Sequence, residues 1–374
     1  MVIAVNTRLL LKGKLEGIGW FSFETLKRIT REHPEHKFLF IFDRPYEPDY
    51  IFGENIIPVV LYPPTRHPVL WYIWFQFRIP ALLKRFNADI FLSPDGYLSL
   101  RTKIPQVAVI HDINFVHRPG DLPRMTSKYY NRYFPKFAAV ARRIATVSYY
   151  SKEDITRSFK VDYNKIDVVY DGINQIFTPT TEDEQNATRR KYSGGALYFL
   201  FVGALHPRKN ISGLLKAFDA FKSVDKKGIR MMIVGGEMFK TGEIYHTYDN
   251  MRNKDDVIFT GRVTSEELHQ IFGAALALAF VPFFEGFGIP VVEAMSAGVP
   301  VICSNITSLP EVGGDAVLYV DPYKTDQITE AMITISTDKA FRGKLIKKGF
   351  VQKSKFSWDE TARKLWMCVE RALQ

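Results

Sequence analysis

Short apolar runs alternate with helical stripes along the whole chain. Residues 2–6, 38–42, 56–61, 90–93, 107–111 and 144–148 are apolar stretches bounded by polar turns. Strands buried on both faces of a parallel sheet read this way. A polar, glycine-containing loop follows over 12–19, and residues 20–31 then set Phe23, Leu26 and Ile29 on one helical face. His33-Pro34 ends that helix, because a residue before proline is pushed away from helical dihedrals. The rhythm returns with strands at 198–202, 230–234, 257–260, 277–281 and 299–304, and helices at 211–224 and 265–275. The latter helix opens on Thr264-Ser-Glu-Glu267, the spacing of a capping box, and aligns Leu268, Ile271, Phe272 and Ala275. Between the halves, residues 178–195 are polar, with Pro179 near the start and Gly194-Gly195 at the end, which predicts a linker. The pattern predicts an α/β chain of two doubly wound domains facing across a cleft, 1–177 and 178–355. An amphipathic helix follows over 356–374, and packing back on the first domain is one of its two open placements.

The 374 residues suit two domains, and 46% hydrophobic with 24% charged residues excludes a disordered chain, a collagen and a small disulfide scaffold. Cys303 and Cys368 are too few for a disulfide framework or a four-ligand zinc site and fit a reducing, cytoplasmic setting. The opening stretch lacks the apolar core and cleavage site of a signal peptide, and no run of 18 apolar residues predicts a spanning helix. A net charge of +10 raises nucleic acid and anionic membrane as partners. The cations read as spread along the chain without a dense basic block, so nucleic acid is not expected. Residues 69–86 concentrate aromatics beside Arg78, Lys84 and Arg85. Core packing of a helix is the first reading of this segment, and contact with an anionic membrane at the inner face is the second.

Two stretches carry chemistry. In residues 283–298 a strand ends in a loop with Glu285, Gly286 and Gly288, and a helix then opens near Pro290 and stops at Gly298. Loop amides and a helix N-terminus make an anion site, and Glu285 and Glu293 beside it suit hydroxyl groups of a sugar and a ribose. The plain alternative is a capped surface helix with an acidic first turn. In residues 201–210 a strand ends at Gly203, and Arg208-Lys209 precede a helix that Asn210 is placed to cap. Two cations there can hold a diphosphate, although a solvated Arg-Lys pair is the commoner meaning of such a loop.

Taken together, these stretches resemble the large retaining glycosyltransferase family with the two-Rossmann GT-B fold, which includes bacterial mannosyl- and glucosyltransferases. Residues 202–210 resemble its diphosphate loop, and Glu285 to Glu293 its Glu, seven residues, Glu signature. Residues 258–263 resemble the strand and loop that take the base, and 304–311 and 320–322 resemble segments that follow. The resemblance implies that Arg208 and Lys209 neutralise the donor diphosphate and that Glu293 holds the ribose. Gly261, Arg262 and Val263 would meet the base. Glu285 would contact the donor sugar with amides around Phe287 and Gly288. Gly17 and Gly19 would close over the phosphates, and His111 would lie near the transferred sugar, so that His111, Lys209 and Glu285 form the catalytic set. Ala204 departs from the pattern, since many relatives carry Arg there, and this puts more of the phosphate charge on Arg208 and Lys209.

The dinucleotide fingerprint is a poor match to Gly17-x-Gly19, which stands about ten residues beyond the first strand and has Ser22 at the third glycine position. His111-Asp112 has no third metal ligand spaced with it, and no Asp-x-Asp occurs. The expected protein is a metal-independent retaining hexosyltransferase with no cofactor. Its donor is a nucleotide sugar, with GDP-mannose first and UDP-glucose and UDP-N-acetylglucosamine next, and its acceptor is a glycan or lipid-linked precursor. A nucleotide-sugar epimerase and a non-catalytic sugar-nucleotide or membrane-binding protein are the alternatives.

Overall fold

The computed structural model describes residues 1–13, 15, 17–238 and 241–374. Lys14 and Glu16 of the expected 12–19 loop lie outside the described residues. The chain divides into two units, Met1–Gly172 with Ser357–Gln374, and Ile173–Phe356.

The first unit is built on seven parallel strands: β1 (Val2–Asn6), β2 (Lys37–Phe42), β3 (Ile56–Val60), β4 (Ile90–Ser93), β5 (Gln106–Val109), β6 (Arg143–Thr146) and β7 (Ile166–Val168). Their order is β3-β2-β1-β4-β5-β6-β7. The strand order therefore reverses direction between β1 and β4, the place where an open α/β sheet leaves a crevice beyond its carboxyl ends. The strands are almost wholly apolar because helices cover both faces, and Phe38, Phe40 and Phe91 of the strands and Phe137 of helix Arg124–Val140 are fully buried. The last helix, Trp358–Leu373, packs against helix Gly17–Glu32 of this unit. Arg28 Nε donates to Asp359 Oδ1 at 2.5 Å, Thr361 Oγ1 to the Tyr170 carbonyl at 2.7 Å, and Trp366 stacks on His33 at 3.9 Å. Gly172 sits against this helix so closely that a Cβ there would lie 2.3 Å from the Trp358 nitrogen.

The second unit holds β8 (Tyr198–Val202), β9 (Arg230–Val234), β10 (Val257–Gly261), β11 (Ala277–Phe280), β12 (Val301–Ser304) and β13 (Leu318–Val320), all parallel, in the order β10-β9-β8-β11-β12-β13. It repeats the reversal of the first sheet, here between β8 and β11. Both sheets have the doubly wound order expected of Rossmann-like domains.

Several elements differ from the sequence reading. The 178–195 stretch contains helix Glu182–Ser193, opened by a complete capping box between Thr181 and Glu184. It buries only Thr188 and Ser193, so no apolar stripe announces it. β7 and β13 are three residues each, too short for an alternation pattern, and Asp167 in β7 is fixed by Arg143 of β6 at 2.7 Å. Gly17 and Gly19 belong to the first turn of helix Gly17–Glu32 rather than to a loop. Residues 68–85 are one helical run interrupted by a wide turn, where the Ile79 amide reaches the Trp74 carbonyl. Pro80 has no N–H to give the Gln76 carbonyl, which is the physical cause of that wide turn. The capping box at Thr264 and Glu267 forms as expected. Among the described residues, no helix is long and apolar enough to cross a membrane.

Candidate active site

The reversal between β8 and β11 brings the two chemistry-bearing stretches together. After β8 the chain turns at Gly203, whose carbonyl lies only 1.9 Å from where a Cβ on Gly235 would stand, so the segments after β8 and β9 touch. A short 3₁₀ turn, Pro207–Lys209, follows, and His206 Nδ1 accepts from its Arg208 amide at 3.3 Å. That turn delivers two cations to the loop after β11. The Phe283 amide donates to the Arg208 carbonyl at 2.8 Å. Arg208 Nη1 donates to Glu285 Oε1 at 2.8 Å and to the Phe284 carbonyl at 3.0 Å, and Lys209 Nζ donates to the same Glu285 oxygen. Lys209 and Glu285 are 9% and 7% exposed. Burial by itself pushes the Glu285 carboxyl up, but Arg208 and Lys209 outweigh it and hold the group below its ordinary value.

Asn210 does not cap the following helix, Ile211–Phe221, with its side chain. It adopts a left-handed backbone (φ 56°), and its side-chain Nδ2 donates to the carbonyls of Val281 and Pro322 at 3.0 and 2.8 Å. Asn210 thus clamps the ends of β11 and β13 to the cation loop. Ser308 clamps from the other side, since its hydroxyl donates to the Glu285 and Phe287 carbonyls at 3.0 and 3.1 Å.

Gly288 ends the loop at φ 106°, and a Cβ on it would meet Leu309 at 2.6 Å, so only glycine fits. Helix Ile289–Ser296 starts after it, which puts Pro290 at the second helical position, where the missing N–H still breaks no helical bond. Glu293 lies one turn in and half-buried. Burial pushes its carboxyl up to about 8. The two glutamates are therefore in opposite states at neutral pH, Glu285 ionised and Glu293 protonated. At the end of β10, Gly261 (φ 69°) accepts from the Gly235 amide at 2.9 Å, Arg262 Nε stands 2.7 Å from where a Cβ on Gly236 would be, and Val263 leads into the Thr264 cap.

In the first unit, His111 lies just past β5. Its Nε2 is 2.9 Å from the Pro94 carbonyl and its ring meets Phe21 edge-on at 4.8 Å. Burial lowers its pKa against the opposing effects of that carbonyl, Asp112 and Asp95. The ring is then neutral, Nε2 carries the proton given to Pro94, and Nδ1 is left as the accepting nitrogen. Nearby, Asn6 at the end of β1 donates to Ser93 and Asp95 at 3.1 and 2.7 Å, and buried Arg8 pairs with Asp95 at 2.6 Å. Gly17 and Gly19 supply first-turn amides, and a Cβ on Gly19 would press on the Leu9 carbonyl at 3.2 Å.

The sequence reading had no role for His206, Ser308, Asn6, Arg8 or Asp95. Arg8 and Asp95 are 87 positions apart, and nothing local to either signals the other. Asn210 was expected as a helix cap and instead serves as a left-handed clamp; the signal for that role is that Asn tolerates the left-handed region. Among the described residues, no group of three or more His, Cys, Asp or Glu is placed to hold a metal ion.

Residues 182–352 match the family described as glycosyl transferases group 1, and residues 17–175 match Glycosyltransferase Family 4. The chain is 30% identical over 278 residues to O-antigen chain mannosyltransferase B of Escherichia coli, covering 74% of this chain and 73% of that protein. It is 30% identical over 259 residues to O-antigen chain mannosyltransferase RfbU of Salmonella typhimurium, covering 68% and 67%. Its fold is similar to that of a sucrose-phosphate synthase from Thermosynechococcus elongatus, with TM-score 0.78 at 16% identity over 99% and 98% of the two chains. Two doubly wound units, cations and a carboxylate at a sheet's switch point, and this kinship agree: the chain belongs to the group 1 glycosyl transferases of GT-B fold, which take sugars from nucleotide-sugar donors.

Proposed function

We propose that the chain transfers mannose from GDP-mannose, with retention and without a divalent metal, to a sugar hydroxyl of a glycan or lipid-linked precursor at the inner face of a membrane. The observation that carries this reading is the convergence of Arg208 and Lys209 on Glu285 at the β8–β11 reversal. Mannose is favoured because both relatives are named mannosyltransferases of O-antigen chains.

In this reading Arg208, Lys209 and the amides of Phe287 and Gly288 stabilise the leaving diphosphate, with the first-turn amides of Gly17 and Gly19 closing over it. Glu293 accepts the ribose hydroxyls, and Gly261, Arg262 and Val263 take the base. Glu285 orients the transferred sugar, and neutral His111 accepts a sugar hydroxyl at Nδ1. The bond from sugar C1 to the diphosphate oxygen breaks while the acceptor oxygen bonds C1 on the same face. The acceptor's proton passes to the departing diphosphate. Thermal shift with GDP-mannose, UDP-glucose and UDP-N-acetylglucosamine identifies the donor, because stabilisation grows with concentration over dissociation constant. Donor consumption with and without a sugar acceptor then separates transfer from the alternatives. An epimerase converts donor alone, and a binding protein converts none.

A further inference from the structure

The aromatic run near the first unit's sheet divides by face. Trp74, Phe75, Ile79, Leu82 and Leu83 are in the core, while Val69, Ile73 and Phe77 recur every fourth position on the solvent side and are 52%, 37% and 47% exposed. Arg66, Arg78, Lys84 and Arg85 flank that stripe and are exposed. Helix Arg124–Val140 lies beside it and turns Arg124, Lys128, Arg132 and Lys136, again four apart, to solvent.

A chain of ring contacts makes these one surface. Arg101 lies 4.1 Å over Phe77, Phe77 meets Tyr72 at 5.9 Å, and Tyr72 meets Tyr133 at 5.8 Å. Arg132 and Lys136 then lie 5.7 and 5.8 Å from the Tyr133 ring. An open groove of about 830 Å³ at one end is lined by Lys84, Arg101 and Lys103, with Asp89 its one carboxylate, which accepts from the Val2 amide.

Charge is concentrated here as well. No Asp or Glu occurs between Glu54 and Asp89, or between Asp121 and Glu153, and these two stretches hold eleven of the fifty Lys and Arg, eight of them on this face and three, Arg142, Arg143 and Lys152, beyond its second helix. They account for the whole +10 excess, and the remaining chain is nearly neutral. The expectation that charge is spread along the chain is corrected on this point.

We propose that this face docks the chain on an anionic bilayer, with Val69, Ile73 and Phe77 entering the boundary of headgroups and acyl chains and the flanking cations meeting lipid phosphates. A soluble polyanion would use the cations and leave an exposed apolar stripe without purpose, so the stripe selects the bilayer. The inference stands on this surface alone and does not need the donor reading.

The test is sedimentation of the full chain with vesicles of phosphatidylcholine alone or of equimolar phosphatidylcholine and phosphatidylglycerol. The chain is expected to pellet with the anionic vesicles only and to be released by salt. The variant Lys128→Gln/Arg132→Gln/Lys136→Gln is expected to bind about a hundredfold more weakly, and Val69→Ser/Ile73→Ser/Phe77→Ser at least about tenfold more weakly. Both are expected to keep the wild-type melting curve and nucleoside diphosphate affinity, which separates lost docking from lost folding. If the triple serine variant melts early, Phe77→Ser alone carries the comparison. Equal binding to both vesicles, or binding to neither, overturns the proposal. An apolar variant that binds as wild type overturns it too and assigns the cations to a soluble polyanion.

Discussion

Lys209 and Glu285, 76 positions apart, form a buried ion pair between the loops that follow neighbouring strands β8 and β11. Arg208 shares the same carboxylate oxygen, so Glu285 stays ionised despite its burial. Its depressed carboxyl contributes stability above the ordinary carboxylate range, and that contribution is lost as pH falls through the folded value.

Replacing Glu285 with Gln keeps the shape and removes the charge. Turnover is expected to fall about a hundredfold, the usual scale for losing one positioned polar group, while free nucleoside diphosphate binds nearly as before. Contacts made in the transition state appear in kcat, and uniform contacts in KM. Steady-state kinetics with titration calorimetry reads both. An unchanged kcat would remove Glu285 from the transferred sugar.

Glu293 gives a pH signature. Its carboxyl is pushed up to about 8, so a carboxylate able to accept two ribose hydroxyls becomes available only as pH rises through that value. Nucleoside diphosphate affinity is expected to increase across this range in the wild type. Glu293→Gln should bind more weakly and show a flat profile there. Parallel profiles for the two proteins would separate Glu293 from the ribose.

Much of this site was legible because each half of it is local. Glycine, a charged pair and a strand end occur together in 201–210, and glycines with two glutamates follow a strand in 283–298. What pairs with what was not legible, since Glu285 meets Lys209 only through the order of strands. The fold followed from strand–helix alternation. Helix Glu182–Ser193 escaped because exposed helices carry no apolar period, although its Thr181–Glu184 cap was written in the sequence. Residues 69–86 stayed divided between core packing and membrane contact for the opposite reason: their core and solvent stripes are both apolar, and only burial separates them.

Asp171 is buried next to Gly172, one of its carboxylate oxygens has no hydrogen-bond partner among the described residues, and burial pushes its pKa up to about 8. The folded state therefore holds a proton that the unfolded chain releases at lower pH. The resulting stability is complete below the ordinary carboxylate range and is lost as pH rises through about 8. Asp171→Asn is expected to remove that slope in denaturant unfolding across pH and to be the more stable protein at alkaline pH. Identical slopes would contradict this.

Turnover is expected to survive chelation, because cations rather than a metal neutralise the diphosphate in this account. Activity lost with EDTA and restored by magnesium or manganese would refute that expectation.

The most direct measurement compares the affinity of the preferred nucleoside diphosphate with that of its uncharged nucleoside, for the wild type and for Lys209→Ala. Arg208 remains on Glu285 in the variant, so destabilisation is expected to stay below the ~3–5 kcal/mol typical of breaking a fully buried pair. A melting curve confirms folding. If Lys209 holds the diphosphate, the nucleoside diphosphate loses at least about tenfold in affinity, the ~1.4 kcal/mol scale of one charged contact, while the nucleoside binds equally well to both proteins. Equal diphosphate affinity for the two proteins would contradict the assignment of the β8–β11 reversal as the donor site.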